Sequence, residues 1–286
     1  MRQILLPHGR KMGYAEYGVP GGYPVIYCHG FPGSRLEAQL LRPAVERLGV
    51  YVIAPDRPGY GGSDPSPGRS LGDFAHDVVA LLDCLKLSRV GVLGVSGGGP
   101  YALSLLAAYP ERTSRAALVG ALGRACDILA CRSAFSPIVR RAWDVAQHAS
   151  FAMPFLAWAA MPILTRFGLL TRLAAPADLA VLSDPVVRDI LTRSQREGLR
   201  QGGRGAARDF ALYSQSWGFA LSDVHTPVTI WHGQADKVVP VQMAARLAEG
   251  LPRACTRILD AEGHYSLPIR YSQAIIESVL CDGTRS

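Results

Sequence analysis

The chain has 286 residues, 49% of them hydrophobic and only 19% charged, which allows one large core and excludes a disordered, solvated polypeptide. The formal net charge of +7 raises nucleic acid or an anionic surface as a partner. The basic residues are mostly arginines scattered along the whole chain, with no long run and no aromatic-interleaved patch, so no nucleic-acid partner is expected.

The six cysteines (Cys28, Cys84, Cys126, Cys131, Cys255 and Cys281) form no CxxC pair, and Cys126 and Cys131 have no second pair at zinc-ligand spacing. Met1 to Gly13 lacks the apolar stretch of a secretory leader. A reducing, cytoplasmic setting is therefore expected. The most apolar stretch, Phe151 to Leu164, is interrupted by Pro154 and Pro162 and is shorter than the roughly 20 residues a bilayer demands. No membrane span is expected.

In chain order, Ile4 to Leu6 and Lys11 to Tyr17 predict a hairpin. Short apolar runs follow at Val25 to Cys28, Tyr51 to Ala54, Val90 to Val95, Ala116 to Val119, Val228 to Trp231 and Thr256 to Leu259. Each is closed by a Gly, Pro or Asp turn and predicts a strand buried on both faces. Helical spacing of apolar residues predicts helices over Leu36 to Leu48, Ser70 to Leu87, Pro100 to Ala108, Val241 to Leu251 and Tyr271 to Leu280. Ser70 is the expected cap of the second. Strand and helix alternate, so the expected class is α/β with a mostly parallel sheet flanked by helices. The alternation stops between about Arg124 and Asp223, a span rich in Ala, Leu, Arg, Trp and Phe and broken by five prolines. It predicts short helices inserted into a core built from residues 1–123 and 224–286, with 124–223 as the insertion.

Gly94-Val95-Ser96-Gly97-Gly98 lies between a predicted strand and a predicted helix. A G-x-S-x-G in that setting places a serine hydroxyl on a sharp turn, with small residues on either side letting strand and helix approach. A serine needs a base. Of seven histidines, His264 lies in the loop after the last predicted strand. Loops at the carboxyl ends of parallel strands meet at one edge, so His264 can reach Ser96. Asp236, in the loop after the preceding strand, completes the order Ser, Asp, His. Asp127 is the strongest rival for the acid. Asp260 and Glu262 lie too near His264 in sequence for a well-aimed bond, and Asp56 serves its own turn, Asp56 to Ser63. The developing oxyanion needs two donors: the Gly97 amide, and the Phe31 amide in the loop His29 to Ser34, since Pro32 cannot donate.

The His29-Gly30 loop, the Asp56 to Ser63 turn, the Ser96 elbow, the Asp236 loop and His264, in this order, resemble the α/β-hydrolase fold superfamily over nearly the whole chain. The resemblance implies an eight-stranded, mostly parallel sheet with a helical cap (lid) inserted after the sixth strand. A serine nucleophile sets the chain apart from haloalkane dehalogenases and typical epoxide hydrolases. Gly30-Phe31-Pro32 replaces the glycine-doubled loop of proline iminopeptidases. Phe31 resembles the aromatic oxyanion residue of carboxylesterases and cofactor-free haloperoxidases.

The expected function is acyl-enzyme hydrolysis of a carboxylic ester carrying a hydrophobic group, with Ser96, His264 and Asp236 as the triad and no metal or organic cofactor. Phe31, Phe155, Trp158 and Met161 are the expected substrate-binding residues, because apolar and Met side chains make an adaptable wall. Lactones, thioesters, amides and carbon–carbon bonds beside a ketone stay open as substrates. So does a small-molecule receptor that keeps the triad, since fold and triad do not set function. The expected partner is a small hydrophobic molecule, with a homodimer as the candidate assembly.

Overall fold

The computed structural model describes residues 1–148 and 174–280. Eight strands form one sheet: β1 (Arg2–Leu5), β2 (Lys11–Gly18), β3 (Tyr23–Cys28), β4 (Val50–Pro55), β5 (Val90–Val95), β6 (Thr113–Val119), β7 (Val228–Gly233) and β8 (Ala254–Leu259). Their spatial order is β1-β2-β4-β3-β5-β6-β7-β8. The β1–β2 hairpin is antiparallel and β2 runs antiparallel to β4, while β4, β3, β5, β6, β7 and β8 are mutually parallel. This is the mostly parallel eight-stranded sheet flanked by helices that the alternation and the resemblance implied.

All six residues of β5 are buried, as an inner strand covered on both faces requires. Leu71–Cys84, Gly99–Ala108 and Gln242–Gly250 cover one face through Phe74, Leu81, Leu105, Met243 and Leu247. Arg42–Arg47 and Ser272–Glu277 cover the other through Val45, Ile275 and Ile276. Ser70 caps the Leu71–Cys84 helix as expected: Asp73 N donates to Ser70 Oγ at 3.2 Å, and Ser70 N donates back to Asp73 Oδ2 at 2.7 Å.

Two expectations need correction. Leu36 to Leu48 is not one helix but a 3₁₀ turn, Arg35–Leu41, followed by the helix Arg42–Arg47. Pro43 has no N–H to continue a ladder and suits the first turn of a new helix. The last strand is not buried on both faces: the four central residues of β8 are exposed, because β8 is a sheet edge with β7 as its one strand neighbour.

Between β6 and β7 the described residues form helices and no strand: Ala125–Ala130, Pro137–His148, Pro176–Leu182, Pro185–Gly198 and Arg204–Tyr213, with short 3₁₀ turns. Pro137, Pro176 and Pro185 each open a helix, where a missing N–H costs nothing. Among the described residues no helix is long and apolar enough to cross a membrane.

Candidate active site

The chain runs from β3 outward to β4 and then returns to the other side of β3 to place β5. The carboxyl ends of β3 and β5 therefore flank a reversal of strand order, where open parallel sheets form a crevice. Ser96 directly follows β5 and has φ of 53°, a left-handed conformation rare for a residue with a side chain. Tight packing enforces the turn. A Cβ on Gly98 would lie 2.1 Å from Cys28 O at the end of β3, and one on Gly94 would lie 2.7 Å from Ala102 Cβ in the next helix. Strain of this kind persists only where the surroundings over-determine it.

The loops after β7 and β8 bring Asp236 and His264 to this turn. His264 Nε2 lies 3.0 Å from Ser96 Oγ, and His264 Nδ1 lies 2.7 Å from Asp236 Oδ2. The other carboxylate oxygen of Asp236 accepts from Val238 N at 2.8 Å and Val239 N at 2.9 Å, which aims Oδ2 at the ring. Gly120, at the end of β6 with φ of 53°, leaves room below the pair: a Cβ there would sit 3.2 Å from His264 Nδ1. Burial alone would lower the pKa of His264, but the Asp236 charge and its hydrogen bond outweigh it and raise the pKa above the usual imidazole value. Burial opposes ionisation of Asp236 too, yet His264 holds its pKa below the usual carboxylate value.

None of the other sequence candidates hydrogen-bonds the His264 ring, although His232 Nε2 lies 3.5 Å from Asp236 Oδ2. Asp127 accepts from Arg124 N at 2.9 Å and Arg124 Nε at 2.9 Å within its own turn. Asp56 pairs with Arg35 Nη1 at 2.5 Å and accepts from Gly62 N at 2.8 Å, the structural role expected of it. His29 and His232 are buried, and burial lowers both pKa values. His232 Nε2 lies 3.0 Å from Val239 O, and His29 Nδ1 lies 2.9 Å from Gly30 O.

Phe31 and Gly97 come together: a Cβ on Gly97 would lie 2.8 Å from Phe31 Cβ and 2.6 Å from Tyr213 Oη. Tyr213 donates to Gly97 O at 2.8 Å. Phe31 also meets Phe210 edge to face at 4.9 Å, and Phe210 meets Trp143 at 5.1 Å, which meets Phe135 at 6.4 Å. An aromatic row thus runs from the Ser96 turn into the helices between β6 and β7. Of the expected substrate-binding residues, Phe155, Trp158 and Met161 lie outside the described residues.

Two carboxylates on the helices between β6 and β7 have no distinguishing signal in the sequence. Asp209 sits fully buried among Arg57, Arg69, Tyr60 and Tyr101. Asp178, also fully buried, accepts backbone N–H groups from the His264 loop. Charged residues are seldom fully buried unless paired, and nothing local in the sequence distinguishes these two aspartates from exposed ones.

Residues 23–145 match the family model described as alpha/beta hydrolase fold. An uncharacterized hydrolase of Bacillus subtilis is 35% identical over 111 residues, 38% of this chain and 39% of that protein, so the chain spans less than half the length of this relative. A 2-hydroxy-6-oxo-2,4-heptadienoate hydrolase of Pseudomonas putida is 25% identical over 264 residues, 87% of this chain and 85% of that one. The solved structure of a thermophilic esterase from Thermogutta terrifontis superposes with a TM-score of 0.74 at 21% identity, covering 97% of each chain, which is a likeness of fold. With its eight-stranded sheet, its Ser96 turn after β5 and these matches, the chain has the α/β-hydrolase fold.

Proposed function

We propose that the protein is a serine hydrolase that acts through an acyl-enzyme, on a carboxylic ester with a hydrophobic group. The observation that carries this reading is the continuous chain from Ser96 Oγ to His264 at 3.0 Å and from His264 to Asp236 at 2.7 Å, built on a strained turn at the strand-order reversal. In this reading Ser96 Oγ attacks the carbonyl carbon while its proton passes to His264 Nε2. Asp236 accepts from Nδ1–H, holds that tautomer and stabilises the imidazolium. The Gly97 and Phe31 amides would receive the oxyanion. The imidazolium then protonates the departing alkoxide. Water, deprotonated by the same imidazole, releases the acid and restores Ser96. The 124–223 span is read as a cap over a core of residues 1–123 and 224–286. The aromatic row from Phe31 to Phe135 favours an apolar substrate portion.

A second reading has the same groups hydrolyse a 2-hydroxy-6-oxo-dienoate, favoured by the match to the Pseudomonas putida hydrolase along 87% of the chain. Activated straight-chain esters and such a dienoate, assayed side by side, separate the two. In either case a fluorophosphonate should label Ser96 alone. Ser96→Ala should abolish labelling and lower turnover by several orders of magnitude while the protein stays folded. Undiminished turnover by the Ala variant would remove Ser96 from the mechanism.

A further inference from the structure

Asp178 stands at the start of the Pro176–Leu182 helix, 86 residues from His264 in sequence. Its side chain is fully buried and every acceptor direction is used. Oδ2 accepts from Ala175 N at 3.1 Å, within its own helix start, and from His264 N at 3.1 Å. Oδ1 accepts from Tyr265 N at 2.8 Å and Ser266 N at 2.8 Å. Two oxygens offer about four lone-pair sites, and four amides occupy them. The loop is shaped to receive this group, because a Cβ on Gly263 would lie 2.2 Å from Asp178 Oδ2. Gly263 N instead donates to Ser266 Oγ at 2.9 Å. No bond runs from Asp178 to the imidazole ring; the contacts are to the backbone that carries it.

We propose that Asp178 is a positioning residue for His264: a carboxylate from the inserted segment fixes the loop His264–Ser266 by accepting its three consecutive amides, and so holds the ring between Ser96 and Asp236. This rests on the reading of Ser96, His264 and Asp236 as the reacting groups. Three amides on one anion hold the loop through charge-assisted bonds, the strong kind. The length scale makes alignment matter, since a displacement of about 1 Å at a reacting group can cost on the order of a hundred-fold in rate.

The electrostatics give the test a second readout. The titratable groups around the His264 ring are His232 at the end of β7, Asp236 from the loop after it, Glu37 from the turn after β3, Tyr265 on its own loop and Asp178 from the segment between β6 and β7. Asp178, like Asp236 and Glu37, favours the imidazolium. Loss of its charge lowers the pKa of His264, whatever happens to the loop.

The experiment compares Asp178→Asn with the native protein, and with Asp184→Ala as a control. Asp184 caps the Pro185–Gly198 helix of the same segment by accepting from Val186 N and Val187 N, and makes no bond to the His264 loop. Three quantities are read: thermal stability, the titration of the His264 ring by NMR, and the rate at which a fluorophosphonate labels Ser96 as a function of pH. Asp178→Asn should label about ten-fold more slowly or worse at the pH optimum. Its ring titration and the acid limb of labelling should both move to lower pH. Asp184→Ala should lose melting temperature, as loss of a helix cap does, but should keep the native titration and labelling rate. If Asp178→Asn does not fold, Gly263→Ala replaces it, since its Cβ would displace the carboxylate from the loop. Native titration and labelling in a folded variant overturn the proposal, as do equal losses in Asp184→Ala. Failure of both loop variants to fold also overturns it, leaving Asp178 a folding determinant. If the native protein is not labelled at all, the acyl-transfer reading falls; the positioning inference then stands if Asp178→Asn also weakens the His264 Nδ1–H bond to Asp236, read from that proton's NMR resonance, and falls if the bond is unchanged.

Discussion

His264 is pulled in two directions. Burial disfavours its charged form, and the Asp236 carboxylate at 2.7 Å favours it more strongly, so the imidazole titrates above its usual value. A base must be neutral to accept a proton. Activity should therefore be lost as the pH falls through this raised pKa, and the acid limb of kcat/KM should lie above pH 6.5, the unperturbed value. Asp236→Asn removes the charge that raises it, so the limb should move to lower pH. The correct tautomer is also lost, at a cost on the order of ten-thousand-fold in rate by the triad precedent. Asp127→Asn should leave the profile where it is, since its carboxylate serves Arg124. Steady-state pH profiles of the three proteins check both statements, and an unmoved limb in Asp236→Asn would detach Asp236 from the base. Chain order alone picked Asp236 over Asp127. The hydrogen bonds from Val238 and Val239 that aim it depend on how the loop closes, which composition does not encode.

At the scale of elements, the G-x-S-x-G turn was legible because strand, turn and helix lie within twenty residues of one another and each has its own local signal. The boundary errors have equally local causes. Pro43 split one predicted helix, and β8 reads as an apolar run although its place at the sheet edge leaves its faces open. The wall of the candidate site was less legible. Apolar aromatic residues occur throughout residues 124–223, and periodicity does not say which of them meet. The structure joins Phe31 to Phe210 and Phe210 to Trp143. If this row receives the hydrophobic group, kcat/KM should rise along a series of straight-chain esters by about 0.8 kcal/mol per buried methylene until the pocket is full. Phe210→Ala should flatten that rise while changing acetate ester hydrolysis least. An unchanged slope in the variant would leave the row as packing only.

Across the whole molecule the helices between β6 and β7 are tied to the sheet by buried polar groups. Asp209, on the Arg204–Tyr213 helix, pairs with Arg57 at 2.8 Å and with Arg69, and accepts from Tyr60 at 2.8 Å and Tyr101 at 2.5 Å. Arg57 in turn donates to the carbonyls of His29 and Gly30, in the loop that carries Phe31. The Pro185–Gly198 helix adds Glu197, 2.8 Å from Arg35, and Ser194, which accepts from Ser34 N at 2.9 Å. Such networks are costly to disturb, because breaking one leaves charge in a medium that solvates it poorly. Asp209→Asn would leave Arg57 and Arg69 buried without their anion. It should destabilise the protein by about 3–5 kcal/mol, measured by denaturant unfolding. A loss below about 1 kcal/mol would mean that solvent reaches the two guanidinium groups.

The sequence by itself determined what is written in short stretches: the alternation of strands and helices, the caps and proline breaks, the elbow at Ser96, and the chain order that puts Asp236 and His264 after the last two strands. Each depends on neighbours within a few turns of chain, where propensity and periodicity act. Tertiary structure alone decided which residues meet across the fold. Asp178 reaches His264 over 86 residues, Tyr101 reaches Asp209 over 108 and Tyr60 reaches it over 149. An aspartate at a helix start reads the same whether it faces solvent or a loop. Its role is set by what the packed layers bring within hydrogen-bond distance, at burial that makes each unmet polar group expensive.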